Sequence, residues 1–325
     1  MMEEAGSSRD IRIVSIGAYG RLGFVEQALQ VADGTTSDLC IKALENLVLA
    51  TPSASAEVQL LCVVSRYPDC KNPHIAAMVH QRLELRARCM TFDLYQGCLG
   101  YVQGVAVVHA LMARLRLDRA LLFTSDPYTK IVDVTDRDPT LRFMDAATAT
   151  LLLRTDGPGY SLVDAEFGTA PKGYSVRKHH REMVTSRLPL NPARWIRQSV
   201  QSLLARNRLS ADDIDLFLFH PGSRNLVHTL RRNLGISESK LSFDGGSYAD
   251  TVSSSIPLML KKPLATRAYP WIIFSGFADG FSWGSCLIEA HGGGRQVAGS
   301  VADGRPRASE VGAEQPSFGA SSAEP

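Results

Sequence analysis

The chain has 325 residues, 45% of them hydrophobic and 21% charged, and a formal net charge of +2. That length and apolar fraction suit one large or two small globular domains with a substantial core, and so small a charge gives no electrostatic footprint for nucleic acid. No basic run is long enough for a membrane surface, no apolar run reaches the length of a spanning helix, and the acidic, polar start MMEEAGSSRD does not read as a secretory signal.

Residues 1–9 read as a flexible lead. The stretch from His291 onward is rich in Gly, Ala, Ser, Pro and Glu and reads as a disordered tail, leaving a folded body over 10–290. Within the body, IRIVSIG (11–17) is a buried strand. SDLCIKALENLVLA (37–50) is an amphipathic helix, with Ser37 its expected cap. VQLLCVV (58–64) is the next strand, PHIAAMVHQRLEL (73–85) the next helix, and CMTFDLY (89–95) a strand that feeds a helix after Cys98. RALLFTSD (119–126) and ATATLLLR (147–154) are strands.

The second half runs similarly. YSLVDAEFGT (160–169) is a strand, and PARWIRQSVQSLLARNRL (192–209) is a helix with apolar positions three and four apart. IDLFLFH (214–220) is a strand, and RNLVHTLRRNLG (224–235) is a helix ending at Gly235. TVSSSIPLMLKKPL (251–264) is a helix, and YPWIIFSGF (269–277) and FSWGSCLIEA (281–290) are paired strands around a turn. Short apolar β runs interleaved with helices predict an α/β fold with covered sheets. There is no obvious sequence repeat, but 10–155 and 156–290 share a similar order of elements.

The six cysteines, Cys40, Cys62, Cys70, Cys89, Cys98 and Cys286, are scattered with no C-x-x-C pair, which argues against zinc and for free thiols in a reducing cytoplasm. Cys98 differs from the rest. It stands between Gly97 and Gly100 in FDLYQGCLGYVQG, where a strand turns into a helix. A thiol there faces unpaired backbone N–H groups and the positive end of the helix dipole, both of which favour thiolate. The bland reading is a buried helix cysteine. A nucleophile also needs a base. His220 closes the strand IDLFLFH ahead of PGS, where α/β sheets present active groups; its alternative is a half-exposed loop histidine. Asp250, in FDGGSYADTVSSSIPLML, precedes a helix and would also serve as a plain N-cap. The turn in FSGFADGFSWGS is a candidate donor of backbone N–H groups to an oxyanion, or an ordinary hairpin.

Taken together in chain order, these stretches resemble the β-ketoacyl-ACP synthase III branch of the thiolase-fold enzymes. FDLYQGCLGYVQG is similar to the family's nucleophile elbow. FLFHPGSRNLVHTLRRNLGI is similar to its histidine segment, and YADTVSSSIPLML to its YGNTSAASIPLAL. GFADGFSWGSCLIEA resembles its GFGGGFTWGSALV ending, and TDRDPTLRFMDAATATLLL its mid-chain segment. The resemblance covers about 37–290. It implies a duplicated, five-layered αβαβα thiolase fold, a homodimer, and a site that takes an acyl group from a thioester of acyl carrier protein or coenzyme A, with no cofactor and no metal. It implies Cys98 as nucleophile, His220 as the catalytic histidine, and an oxyanion hole from the N–H groups of Cys98 and Asp279. Asn72 matches the residue that lines the partner's acyl pocket across the dimer. Arg224, Arg231 and Arg232 are candidates for a carrier-docking face; the alternative for each is a solvated helix face.

The family's asparagine falls on Asp250. An ionised aspartate only accepts hydrogen bonds, so it cannot join histidine in donating to an enolate, and its charge opposes carbanion chemistry. It can orient an imidazole as in a Ser-His-Asp triad. The expectation is therefore an acyltransferase with a Cys98-His220-Asp250 set that passes the acyl group to a hydroxyl or amine with His220 as base, as in natural-product pathways. Two alternatives stand beside it: a decarboxylative synthase that makes a carbon–carbon bond, and a non-catalytic subunit of a heteromeric synthase. Further departures are HPGS in place of the usual His-Gln-Ala-Asn, and GFADG in place of GFGGG. The family's early tryptophan and its R-x-G-I-x-x-R signature, which hold coenzyme A, are missing; Trp195, Trp271 and Trp283 all come late. That leans towards a carrier-protein donor.

Overall fold

The structure, a computed structural model, describes residues 9–20, 34–127, 144–170, 192–222, 224–242, 250–278 and 281–292, with Arg224 described by its backbone alone. The chain divides into the units Met1–Gly293 and Gly294–Pro325, and the second lies outside the described residues. Of the lead expected over 1–9, residues 1–8 lie outside them, as does the tail expected from His291 apart from His291 and Gly292.

The first strands and helices are β1 (Asp10–Tyr19), α1 (Thr36–Ala50), β2 (Leu60–Val64), α2 (Ile75–Arg82), β3 (Met90–Leu94), α3 (Gly100–Leu115), β4 (Arg119–Asp126) and β5 (Ala146–Thr155). There follow β6 (Gly159–Thr169), α4 (Pro192–Arg206), β7 (Leu216–Phe219), α5 (Arg224–Leu234), α6 (Ser255–Thr266), β8 (Trp271–Ala278) and β9 (Ser282–His291). The strands are hydrogen-bonded in the order β3-β2-β4-β5-β1-β6-β9-β8-β7. Only the pairs Arg12–Ser161 and Ile13–Tyr160 join β1 to β6, so the sheet falls into two parts.

The two parts follow one plan. In the first, β2 pairs parallel with β3 and β4, and β5 runs antiparallel between β4 and β1. In the second, β7 pairs parallel with β8 and with an isolated bridge at Leu241, and β9 runs antiparallel between β8 and β6. Side-chain alternation then sets the layers. Leu61, Val63, Leu121 and Phe123 face α1 and α2, whereas Leu60, Cys62, Ala120 and Leu122 face α3. Phe217 and Phe219 face α4 and α5, whereas Leu216 and Leu218 face the cluster that holds α3 and α6. Helices therefore cover both outer faces and fill the middle, giving the αβαβα layers implied by the resemblance. The central position of α6 explains its run of buried residues from Ser255 to Leu260.

Local details depart from the sequence expectations. Thr35, not Ser37, caps α1: its Oγ1 accepts the Asp38 N–H, and Asp38 Oδ2 accepts the Thr35 N–H at 2.7 Å. Ser37 is buried within the first turn, where its hydroxyl takes Arg82. The helix expected over 73–85 is the shorter α2, and its first N–H groups, those of Ile75 and Ala76, are held by Asp93 of β3 at 2.7 and 2.8 Å. The helix expected from Thr251 begins instead with a 3-10 turn, Val252–Ser254, before α6. Among the described residues no helix is long and apolar enough to cross a membrane.

Candidate active site

Cys98 precedes α3, whose N-cap is Leu99. The flanking glycines serve close packing, not unusual backbone angles. A Cβ on Gly100 would stand 2.1 Å from Val64 Cγ1, and one on Gly97 would stand 2.6 Å from Arg66 Cδ. The close backbone approach comes from the other half of the molecule. Gly276 of β8 passes so near that its Cβ would lie 2.8 Å from the Cys98 carbonyl oxygen. The thiol is brought to the seam between the halves.

His220 follows β7 and is 2% exposed. Its ring is held on three sides. The Gly222 N–H donates to Nδ1 at 3.2 Å, Nε2 lies 3.1 Å from the Val252 carbonyl oxygen, and Phe277 meets the ring edge-on at a centroid distance of 5.5 Å. A backbone N–H only donates and a carbonyl only accepts, so Nδ1 is bare and Nε2 carries the proton. Gly222 has φ +25°, and a Cβ there would stand 2.5 Å from the Phe277 ring.

Asp250 combines the two readings that its sequence context allows. Its Oδ1 accepts the Val252 N–H at 2.8 Å, the cap-like contact, and lies 3.3 Å from His220 Nε2. Among the described residues its Oδ2 accepts nothing. In a Ser-His-Asp triad the carboxylate holds the ring nitrogen remote from the nucleophile. Here Asp250 shares Nε2 with the Val252 carbonyl, and the other nitrogen belongs to Gly222. Cys98 Sγ, a His220 ring nitrogen and an Asp250 carboxylate oxygen all lie within 4.8 Å of one another. That spacing would suit a metal ion, but the proton on Nε2 and the N–H against Nδ1 leave the ring no free lone pair for one.

The electrostatics follow from burial and from these neighbours. Burial pushes the Cys98 thiol above its ordinary value; His220 pulls it down, while Asp250 and the buried Asp126 push it further up. The helix start alone therefore does not yield the thiolate expected from the sequence, and activation depends on His220. Burial opposes the Asp250 charge, but His220, the Val252 N–H and the Ser255 hydroxyl hold its carboxyl below the usual range. Burial lowers the proton affinity of His220, and the charges of Cys98 and Asp250 outweigh this and raise it well above the ordinary range. A second proton must enter at Nδ1, against the Gly222 N–H.

Residues 92–171 match the family described as 3-oxoacyl-[acyl-carrier-protein (ACP)] synthase III, and residues 204–290 match its C-terminal region. The chain belongs to the 3-oxoacyl-ACP synthase III family. It is 24% identical over 278 residues to the β-ketoacyl-[acyl-carrier-protein] synthase III of Streptococcus sanguinis, covering 79% of this chain and 85% of that protein. It is 27% identical over 277 residues to the Rickettsia canadensis protein of the same name, covering 80% and 86%. The 3-oxoacyl-[acyl-carrier-protein] synthase III structure from Aquifex aeolicus shares the thiolase fold, with a TM-score of 0.74, 16% identity, and coverage of 86% of this chain and 99% of that one.

The other residues singled out from the synthase III resemblance are dispersed. Asn72 is exposed, in the loop before α2. Arg231 is half-buried and Arg232 exposed; both lie in the last turn of α5, where they complement the helix dipole. That turn is about 10 Å along the helix from Arg224, the α5 residue nearest in sequence to His220. Asp279 lies outside the described residues. All six cysteines are free, and Cys40, Cys62 and Cys286 are buried. Sequence reasoning missed Gly222, Val252, Gly276 and Asp126. Of these only Asp126 left a signal, as a carboxylate closing the apolar strand RALLFTSD.

Proposed function

We propose that this synthase III relative is an acyltransferase. It loads an acyl group from an acyl-carrier-protein or coenzyme A thioester onto Cys98 and transfers it to a hydroxyl or amine. The observation that carries this reading is the carboxylate of Asp250, 3.3 Å from His220 Nε2, at the position where the family has an amide. A pair of donors suits an enolate; a donor beside an ionised acceptor suits a tetrahedral intermediate formed by a protic nucleophile.

In the first half-reaction the Cys98 sulfur forms a bond to the thioester carbonyl carbon. The bond from that carbon to the carrier sulfur breaks, and the carrier leaves as a thiol with the proton that Cys98 gave up. In the second, the acceptor O–H or N–H attacks the acyl-cysteine carbonyl. His220, whose proton affinity is raised well above its ordinary range, takes the acceptor's proton at Nδ1 in place of the Gly222 N–H contact, and the Asp250 carboxylate stabilises the imidazolium. The bond from the acyl carbon to Cys98 sulfur breaks, and the proton held by His220 returns to that sulfur. His220 is then the base, as in the sequence expectation.

Two partners belong to this reading. A second copy of the chain would meet the edge of β3, which among the described residues pairs only with β2, and Arg232 offers an exposed cation to an acidic carrier protein. The family membership favours a second reading, a decarboxylative synthase; it requires Asp250 to be protonated when the enolate forms.

The deciding experiment incubates the protein with acyl- and malonyl-carrier thioesters and weighs the Cys98 peptide. An intact acyl or malonyl adduct that an alcohol or amine discharges is expected. A decarboxylated or chain-extended product would establish condensation instead, and no adduct with any donor would establish a non-catalytic subunit. Asp250→Asn, which restores a donor, is expected to gain malonyl decarboxylation.

A further inference from the structure

Asp126 ends β4 and is fully buried, and the chemistry above does not use it. Its carboxylate gathers donors from two distant segments. Oδ1 accepts the Arg66 N–H at 2.9 Å and the Ser65 hydroxyl at 3.3 Å. Oδ2 accepts the Ser253 N–H at 3.2 Å and the Ser253 hydroxyl at 2.5 Å. Arg66 follows β2, and its side chain fills the space over Gly97, next to Cys98. Ser253 follows Val252, whose carbonyl takes His220 Nε2 and whose N–H takes Asp250. One carboxylate thus ties the wall beside Cys98 to the turn that supplies both acceptors of His220.

That turn needs holding. Val252 has φ 54°, in the left-handed region, where a β-branched residue is strained by about 1–3 kcal/mol. Ser254 is pinned beyond it by Thr124 at 2.8 Å and by the Ala146 carbonyl at 3.2 Å. Asp126 grips the residue directly after the strained one.

We propose that Asp126 is a positioning residue: by holding Ser253 it keeps the Val252 carbonyl and the Asp250 carboxylate on His220 Nε2, and by holding Arg66 it fixes the wall against Gly97. Burial pushes its carboxyl up to about 6, with Ser253, Arg66 and Ser65 opposing, so it is mostly ionised at neutral pH. Asparagine cannot replace it. An amide has a single acceptor oxygen, and its NH2 would face the N–H of either Ser253 or Arg66.

The test compares wild type, Asp126→Asn and Ser253→Ala by ring 15N spectra of labelled histidine and by iodoacetamide alkylation of Cys98 read on its peptide. Circular dichroism reports the fold. In wild type, at a pH above the raised value of His220, where the ring holds one proton, a single Nε2–H tautomer is expected. Asp126→Asn is expected to average that tautomer and slow alkylation about ten-fold with the helix content kept, and Ser253→Ala to do the same more weakly. Slowing is diagnostic, because the Asp126 charge raises the Cys98 thiol and its removal by field alone would speed alkylation. A folded Asp126→Asn variant with unchanged tautomer and unslowed alkylation would overturn the proposal. If that variant does not fold, an unchanged ring spectrum in Ser253→Ala would do so. Neither readout depends on the acyl acceptor.

Discussion

Gly222 donates its backbone N–H to Nδ1 of His220 at 3.2 Å, and this contact decides which ring nitrogen carries the proton. It leaves Nε2 as the proton-bearing nitrogen, facing both the Val252 carbonyl and Asp250. Gly222→Ala tests the arrangement. The new Cβ would meet the Phe277 ring, which lies edge-on to His220, at 2.5 Å. Stability is expected to fall by roughly 1–3 kcal/mol, and the single Nε2–H signal of His220 to be lost. Thermal melts and histidine 15N spectra check this; a variant that keeps both values would remove the role given to Gly222.

Cys98 titration reports the same charges. His220 pulls the thiol down, so His220→Ala is expected to raise the midpoint of Cys98 alkylation against pH. Asp250 pushes it up, so Asp250→Asn is expected to lower the midpoint. The measurement must be read on the Cys98 peptide, because all six cysteines are free. Shifts of the opposite sign would mean that the three groups are not coupled as their geometry implies.

The approach of β8 to Cys98 gives a contrast between two glycines. Gly276→Ala places a Cβ 2.8 Å from the Cys98 carbonyl oxygen and 3.3 Å from Leu99 Cα, and neither atom belongs to a movable side chain. Alkylation of Cys98 is expected to slow at least about ten-fold, a loss near 1.4 kcal/mol in barrier terms. Gly235→Ala, with φ +67° and nothing within 4 Å, is expected to cost only about 1 kcal/mol of stability and to leave Cys98 unchanged. Equal effects on Cys98 would show that the close approach is not what matters.

The cap of α1 carries a pH signature. The Thr35 N–H, Arg82 and the Thr35 hydroxyl lower the Asp38 carboxyl to about 2, against a burial effect that raises it. A carboxyl lowered on folding stabilises the native state above its unfolded value and loses that contribution as pH falls through its folded value. Asp38→Asn is therefore expected to melt below wild type at pH 7, with the gap closing between about pH 4 and pH 2. Melts across that range that keep a constant gap would assign the effect to packing.

The sequence carried the alternation of strands and helices, the end of α5 at Gly235, and Cys98 and His220 at the ends of strands, because these are periodic or short-range patterns set by neighbouring residues. Asp250 was legible as a cap and as a site candidate; it makes the cap-like contact with Val252 and lies beside His220. Other features came from residues far apart in the chain. Asp93 caps α2 across 18 positions, His220 meets Val252 across 32, and Asp126 meets Ser253 across 127. No local pattern specifies such pairs, since they exist only once the two halves pack and bring their strand ends to one seam. By itself the sequence determined that a thiol, an imidazole and a carboxylate would stand at turns in an α/β fold. Only the tertiary structure decided that the carboxylate lies on Nε2 and a backbone N–H on Nδ1, because the ring's orientation is set by packing against Gly222, Val252 and Phe277.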